Sequence, residues 1–103
     1  MIDEATIAEV GQRISDAAPS ASVYLFGSHA RGTAKPNSDL DILVVEPEVE
    51  NAAEEAIRLR RALRGLRITA DVVVVSQRDA EEWRDVRGSL IHSALSESRL
   101  IAA

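Results

Sequence analysis

The chain has no cysteine and only one tryptophan, one tyrosine and one phenylalanine among 103 residues. Without thiols, neither a disulfide framework nor a thiolate metal site can form, so any bound metal must rest on oxygen or on histidine nitrogen. With so few rings, the core has to be built from Val, Ile, Leu and Ala, which favours tight aliphatic packing of helices on a sheet. Basic charge is also short: twelve Lys and Arg face seventeen Asp and Glu, a formal net charge of -5. That balance argues against electrostatic capture of DNA or RNA, and so against a nucleic-acid polymer as substrate. It does not exclude a small phosphate-bearing anion, because local dipoles and a bound cation dominate at such a site. Apolar runs are only a few residues long, and the amino terminus lacks a basic segment followed by an apolar one. Neither a membrane span nor a secretory leader is expected, and a cytoplasmic protein is.

What is present suits one small domain over residues 1–103, since 46% of the residues are hydrophobic. No repeat, linker or low-complexity tract interrupts the chain. Ile7, Val10, Ile14 and Ala17 recur at helical spacing, with Asp3 as cap and Pro19 beyond the end, and predict a helix from about Asp3 to Ala17. Ser22 to Phe26 reads as a strand that stops at Gly27. A short helix after Ser28 is broken by Gly32 and Pro36, and Leu40 to Val45 forms the second strand. Pro47 and Glu48 suit the first turn of a second helix, expected to be the longest, with Val49, Ala53, Ala56, Leu63 and Leu66 on one face and Gly65 near its stop. The β-branched run Val72 to Val75 predicts an interior strand buried on much of both faces. Ser76 and Asp79 resemble a cap for a helix carrying Trp83. After Gly88, Leu90, Ile91, Ala94 and Leu95 mark a last short helix, and Leu100 with Ile101 a terminal edge segment. The order predicts an α/β (α+β) fold: a small mixed sheet with helices packed on one face.

The chemistry is concentrated between Gly27 and Asp41. Gly27 lets backbone approach a ligand, the amides after it can converge on phosphate oxygens at a helix start, and Ser28 adds a hydroxyl. A Gly-Ser pair alone is an ordinary turn. Asp39 and Asp41 change the balance, because residues two apart on a strand project to the same face. Two such charges about 5 Å apart repel by roughly 3 kcal/mol at an effective dielectric near 20, a cost a cation between them relieves. Oxygen ligands of this kind suit Mg²⁺ completed by water and substrate phosphates. Asp71 opens the next strand. If that strand lies beside the second, three carboxylates meet the loop, the kit for two-metal phosphoryl transfer. Asp71 then stands on the acceptor side, as metal ligand or proton acceptor.

Gly27-Ser28-His29-Ala30-Arg31-Gly32 followed by Ser38-Asp39-Leu40-Asp41 resembles the signature of the DNA polymerase β-like nucleotidyltransferase superfamily, in particular its minimal nucleotidyltransferase (MNT) branch. The resemblance covers the first three strands closely and the whole chain in element order. It implies the polymerase β-like fold, ATP as substrate and Mg²⁺, two ions, as cofactor. By the same resemblance Gly27 and Ser28, with Arg31 and Ser38, hold the nucleotide, and Asp39, Asp41 and Asp71 are the metal-binding and catalytic triad. Similar proteins accompany a HEPN ribonuclease toxin and act as its antitoxin by transferring AMP to a toxin tyrosine. A HEPN-type partner and a homo- or hetero-oligomer are therefore expected.

Blander readings apply elsewhere. His29 in a loop is normally solvated, and His92 beside apolar neighbours is structural or exposed. Arg58, Arg60, Arg61, Arg64 and Arg67 read first as a solvated face, with Glu54 and Arg58 spaced for an ion pair and a partner-binding patch as the alternative. Trp83 is a core anchor unless exposed, when it becomes an interface anchor. Two other functions compete with protein adenylylation: neutralisation of a partner by contact alone, and nucleotidyl transfer to a small molecule, as in antibiotic-modifying relatives.

Overall fold

The computed structural model describes residues 2–35 and 37–103; Pro36, expected to help end the short helix, lies outside them. Helix α1 (Glu4–Ala17) begins where expected, with the Asp3 carboxylate accepting the Thr6 amide at 2.8 Å. Ile7, Val10 and Ile14 are its buried stripe. It is also the longest helix, a place the sequence reading gave to the next long one. Strand β1 (Ser22–Phe26) leads into α2 (Gly27–Arg31), and β2 (Leu40–Glu46) follows. Helix α3 (Ala52–Arg61) starts five residues later than Pro47. The reason is capping: Asn51 accepts the Glu54 amide at 3.1 Å and Glu54 and Glu55 complement the first turn, whereas Pro47 supplies no acceptor. Strand β3 (Ala70–Ser76), α4 (Gln77–Trp83), α5 (Leu90–Ser96) and β4 (Arg99–Ala102) complete the chain, with Ser76 capping α4 through the Asp79 amide.

The four strands lie in the order β3-β2-β1-β4. Strand β1 runs antiparallel to both neighbours, and β2 and β3 are parallel, joined through α3. The mixed sheet was expected, but β3 is at its edge rather than inside. Helices α3 and α4 both contact β3, so Val72 and Val74 are buried and Val73 and Val75 half-buried although the outer edge pairs with no strand. A β-branched run reports burial of faces, not pairing of edges.

The two sheet faces differ. Val23, Leu25, Leu40, Ile42, Val44, Val72 and Val74 join Ile7, Val10 and Ile14 of α1 and Leu59 and Leu63 of the α3 segment in one core. A Cβ on Gly11 would stand 2.8 Å from the Ile101 carbonyl oxygen, so glycine there lets α1 lie against β4. The opposite face carries three rows in register: Phe26, Asp41 and Asp71; then Tyr24, Leu43 and Val73; then Ser22, Val45 and Val75. The short helices α4 and α5 pack on this second face, where Ala80 and Leu95 border a hollow shared with Tyr24 and Val45. The long helices therefore occupy one face as expected, and the two short ones add a partial second layer. Leu43, wholly buried, lies under that layer. The row of Asp41 and Asp71 lies at the end of this face.

At the other end of β2, Glu46 opens onto a cavity of about 340 Å³ that Glu55 and Arg58 also line. Burial first, then the hydrogen bond to Glu55 and its charge, push the Glu46 carboxyl up to about 7. Glu55 is held down to about 2, chiefly by Arg58, whose guanidinium donates to it at 2.6 and 2.8 Å, and then by the bond from Glu46. Because the folded value of Glu46 lies above its ordinary 4.5, its contribution to stability is complete below that value and is lost as pH rises through about 7. Glu46→Gln, neutral and still able to donate to Glu55, should melt higher than the parent near pH ~8 and match it near pH ~5. Thermal melts across that window check this; parallel curves for the two proteins would place the shared proton elsewhere.

Candidate active site

Register assembles the acidic site. Asp41 pairs with Phe26 on one side and Asp71 on the other, in adjacent strands about 4.8 Å apart. Asp41 is half-buried, while Asp39 and Asp71 are exposed. Burial is the leading cause that pushes the Asp41 carboxyl above the ordinary range, followed by the charges of Asp71 and Asp39; His29 and Arg31 pull it back. Both other predicted carboxylates thus act on Asp41.

Gly27 ties this row to the phosphate-binding candidate. Its φ is +73, and a Cβ there would collide with the Asp41 carboxylate, its Cγ being 3.0 Å from that position. The carboxylate occupies the space a side chain would need, at the start of α2. No side chain caps α2, so its first-turn amides, beside the Ser28 hydroxyl, are left without a capping acceptor. At its other end Gly32, also left-handed, turns the chain out of the helix.

Other expected ligands are engaged within the protein. Arg31 donates to Glu97 at 2.8 Å, clamping α2 to the end of α5. The Ser38 hydroxyl accepts the Lys35 amide at 2.8 Å and shapes the loop before Asp39. His29, read as a solvated loop residue, is half-buried, with Nε2 3.0 Å from the Ser38 carbonyl oxygen. When that nitrogen carries the proton, it ties α2 to the loop that delivers Asp39. Only its place inside the motif hinted at this, and nothing in the sequence signalled Glu97. His92, expected to be structural or exposed, has Nδ1 2.7 Å from the Arg84 carbonyl oxygen and links α4 to α5. Arg58 pairs with Glu55 rather than Glu54, because the i, i+3 spacing brings two of its three nitrogens onto one carboxylate, the third donating to the Ala17 carbonyl. Trp83 is 47% exposed and borders an apolar groove of about 270 Å³ with Val73, Val75, Leu90 and Ile91, on the same sheet face as Asp71.

Among the described residues, no three carboxylate or imidazole groups converge into a ready-made cation cage. The donor set still fits Mg²⁺, which is commonly held by one or two carboxylates, several waters and substrate phosphates rather than by an all-protein shell. The mutual repulsion expressed at Asp41 is what such a cation would relieve.

A mixed four-stranded sheet that sets paired strand carboxylates against a glycine-started helix defines the class: a nucleotidyl-transfer fold. The family follows from sequence, since the nucleotidyltransferase domain model matches residues 7–100 and the chain belongs to that family. No curated protein sequence matches the chain. Among solved structures, a protein from Sulfolobus solfataricus described as a candidate nucleotidyltransferase is 24% identical, covering 93% of this chain and 76% of its own, with a TM-score of 0.61. A toxin-antitoxin complex with AMP-PNP is matched at 25% identity over 97% of this chain and 73% of that one, TM-score 0.55. A complex of tri-AMPylated Shewanella oneidensis HEPN toxin with MNT antitoxin gives 20% identity, 97% and 71% coverage, and a TM-score of 0.54. The expected fold and family resemblance therefore hold.

Two stability measurements probe the site's geometry. Gly27→Ala should lose about 1–3 kcal/mol from left-handed strain and collision with Asp41. Part of that loss should vanish in an Asp41→Ala background; strict additivity in denaturant unfolding of the four proteins would mean the contact is not its cause. Asp41→Asn, in chelator at neutral pH, should melt above the parent. The raised folded value means the carboxylate disfavours the fold above its ordinary range, and the gain should fade as pH falls through the raised value and the parent takes up a proton. A lower melting point for the variant would make Asp41 a structural hydrogen-bond acceptor.

Proposed function

We propose that this nucleotidyltransferase-family protein moves AMP from ATP to a hydroxyl of a partner protein, a HEPN-type toxin, and so acts as its antitoxin. The observation that carries the reading is the pairing of Asp41 with Asp71, with the charge of Asp39 also acting on Asp41, set against the open amide end of α2 through the Asp41–Gly27 contact. Uncapped amides and the Ser28 hydroxyl suit the triphosphate end of ATP. Asp39 and Asp41 are the residues that would hold divalent cations there, with Asp71 as a third ligand or as the proton acceptor. When bound, Mg²⁺ would neutralise charge on the phosphates and the pyrophosphate leaving group. The chain's own contribution is placement. Asp71, exposed at the open edge, faces the side from which an acceptor hydroxyl can arrive, while Gly27 and Ser28 hold the donor from the β1 side. The oxygen of the acceptor attacks the α-phosphorus, its proton passes towards Asp71 and then to water, and pyrophosphate departs with the bonding electrons.

A protein acceptor rather than a small molecule is favoured by the exposed apolar groove around Trp83, Leu90 and Ile91, which shares the sheet face of Asp71 and suits a polypeptide surface. The toxin-antitoxin complex with AMP-PNP among its structural relatives supports the same partner class. The same groove also supports the second reading, neutralisation by contact alone.

Intact mass spectrometry of the co-purified partner after incubation with ATP and Mg²⁺ separates the two, since contact alone leaves the partner mass unchanged. Asp71→Asn should abolish transfer while leaving ATP binding largely intact, and Ser28→Ala should weaken ATP binding. Transfer at the parent rate by Asp71→Asn would remove Asp71 from the mechanism. By calorimetry, ATP should bind more tightly with Mg²⁺ than in chelator, because the bare triphosphate meets three carboxylates; equal affinity would sink the metal-bridged site.

A further inference from the structure

The outer face of α3 carries a symmetry that nothing within the chain uses. Its inner side is fixed by Leu59, which with Leu63 just past the helix belongs to the aliphatic core. On the outer side Ile57 stands 47% exposed, and with Arg60, Arg61 and Arg64 it borders a hollow of about 250 Å³. Counted from Ile57, the residue three places back is Glu54 and three places on is Arg60. Four back is Ala53 and four on is Arg61; seven back is Glu50 and seven on is Arg64. These are the spacings that bring residues onto one helix face. Acid precedes the isoleucine and base follows it at equal distances. Glu50, Glu54, Arg60, Arg61 and Arg64 are all exposed and, among the described residues, none makes an ion pair. The helix dipole favours acid in the first turn and base in the last, which accounts for the sign of Glu54, Arg60 and Arg61. It does not ask that they be spaced evenly about an exposed isoleucine, nor that they be left unpaired.

Two copies of such a helix, laid antiparallel across a two-fold axis at Ile57, bring each residue before it level with the residue equally far after it. Ile57 then meets Ile57, Glu54 meets Arg60 and Glu50 meets Arg64, while the small Ala53 leaves room for Arg61. Every charged contact is made twice, as a closed two-fold interface requires. We propose that the outer face of α3 is a pairing surface for a second copy of this chain. A helix of 10 residues is only about 15 Å long, so the contact covers less than the roughly 1,200 Å² of a stable interface. The pair is therefore weak, and its charged contacts, open to solvent, make it sensitive to salt. Helix α3 packs on the sheet face opposite the Trp83 groove, so pairing leaves that groove open and does not depend on the transfer reading.

Sedimentation equilibrium over rising protein concentration tests the proposal. The parent should move from the mass of one chain towards that of two, and added salt should return it to one. Glu54→Arg and Arg60→Glu, both at exposed positions, should each weaken pairing at least tenfold, because each sets like charges against one another twice. Mixed in equal amounts, the two variants should pair as the parent does, since every contact between them joins opposite charges. Ile57→Ser, which removes the apolar centre without touching a charge, should also weaken pairing at least tenfold. A parent that remains a single chain at millimolar concentration overturns the proposal, as does growth past two chains, because a two-fold contact closes on itself. Variants that associate like the parent would place self-association elsewhere, at the open edge of β3, and overturn it too. So would an equal mixture of the two charge variants that fails to pair.

Discussion

The site depends on the contact between the Asp41 carboxylate and the bare Cα of Gly27. It joins Asp41 to the first residue of α2, so that the paired carboxylates and the open amide donors are fixed relative to one another. Each alone would be commonplace. A carboxylate pair across parallel strands repels itself, and an uncapped five-residue helix leaves donors without acceptors. A triphosphate with its cations answers both at once, because the anion meets the amides and the cations meet the carboxylates.

Around that contact the fold separates stability from reactivity. The face under α1 and α3 is closed and aliphatic, with Val10, Ile14, Val23, Leu25, Ile42 and Val44 entirely removed from solvent. The opposite face is only partly roofed, and the roof consists of two seven-residue helices held by the Ser76 and Ser89 caps and by the His92 link. The acidic row lies at the end of the less buried layer. Arg31 and Glu97 connect the two, fastening α2 to the end of that roof.

Much of this was legible in the chain because it is local. Asp3 and Ser76 capped the helices they were expected to cap, Ser22–Phe26 is a strand to the residue, and the position of Asp71 at the head of a valine run foretold that it would stand beside Asp41, whereas Asp39 lies just before β2 rather than on it. What was missed is non-local. That β3 is an edge follows from strand order, which hydropathy does not encode. The start of α3 turned on a choice between Pro47 and Asn51, decided by which could accept an amide. Glu97 lies 66 residues from Arg31, and no pattern links the two. His29 looked like tolerated loop filler because its partner is a backbone carbonyl, which every residue has.

The open edge of β3 has a consequence for the molecule's own solubility. Four consecutive valines on a strand with an unpaired side form a template to which another chain's backbone can zip, the usual starting point of sheet-driven aggregation. Asp71 at the head of that strand, with Arg67 just before it, supplies the charges that discourage such pairing. A residue assigned to nucleotide chemistry thus also acts as a gatekeeper of the edge. A chain of this fold without catalysis would remain under the same pressure to keep the edge charged, so an acidic residue at this position is not by itself a record of activity.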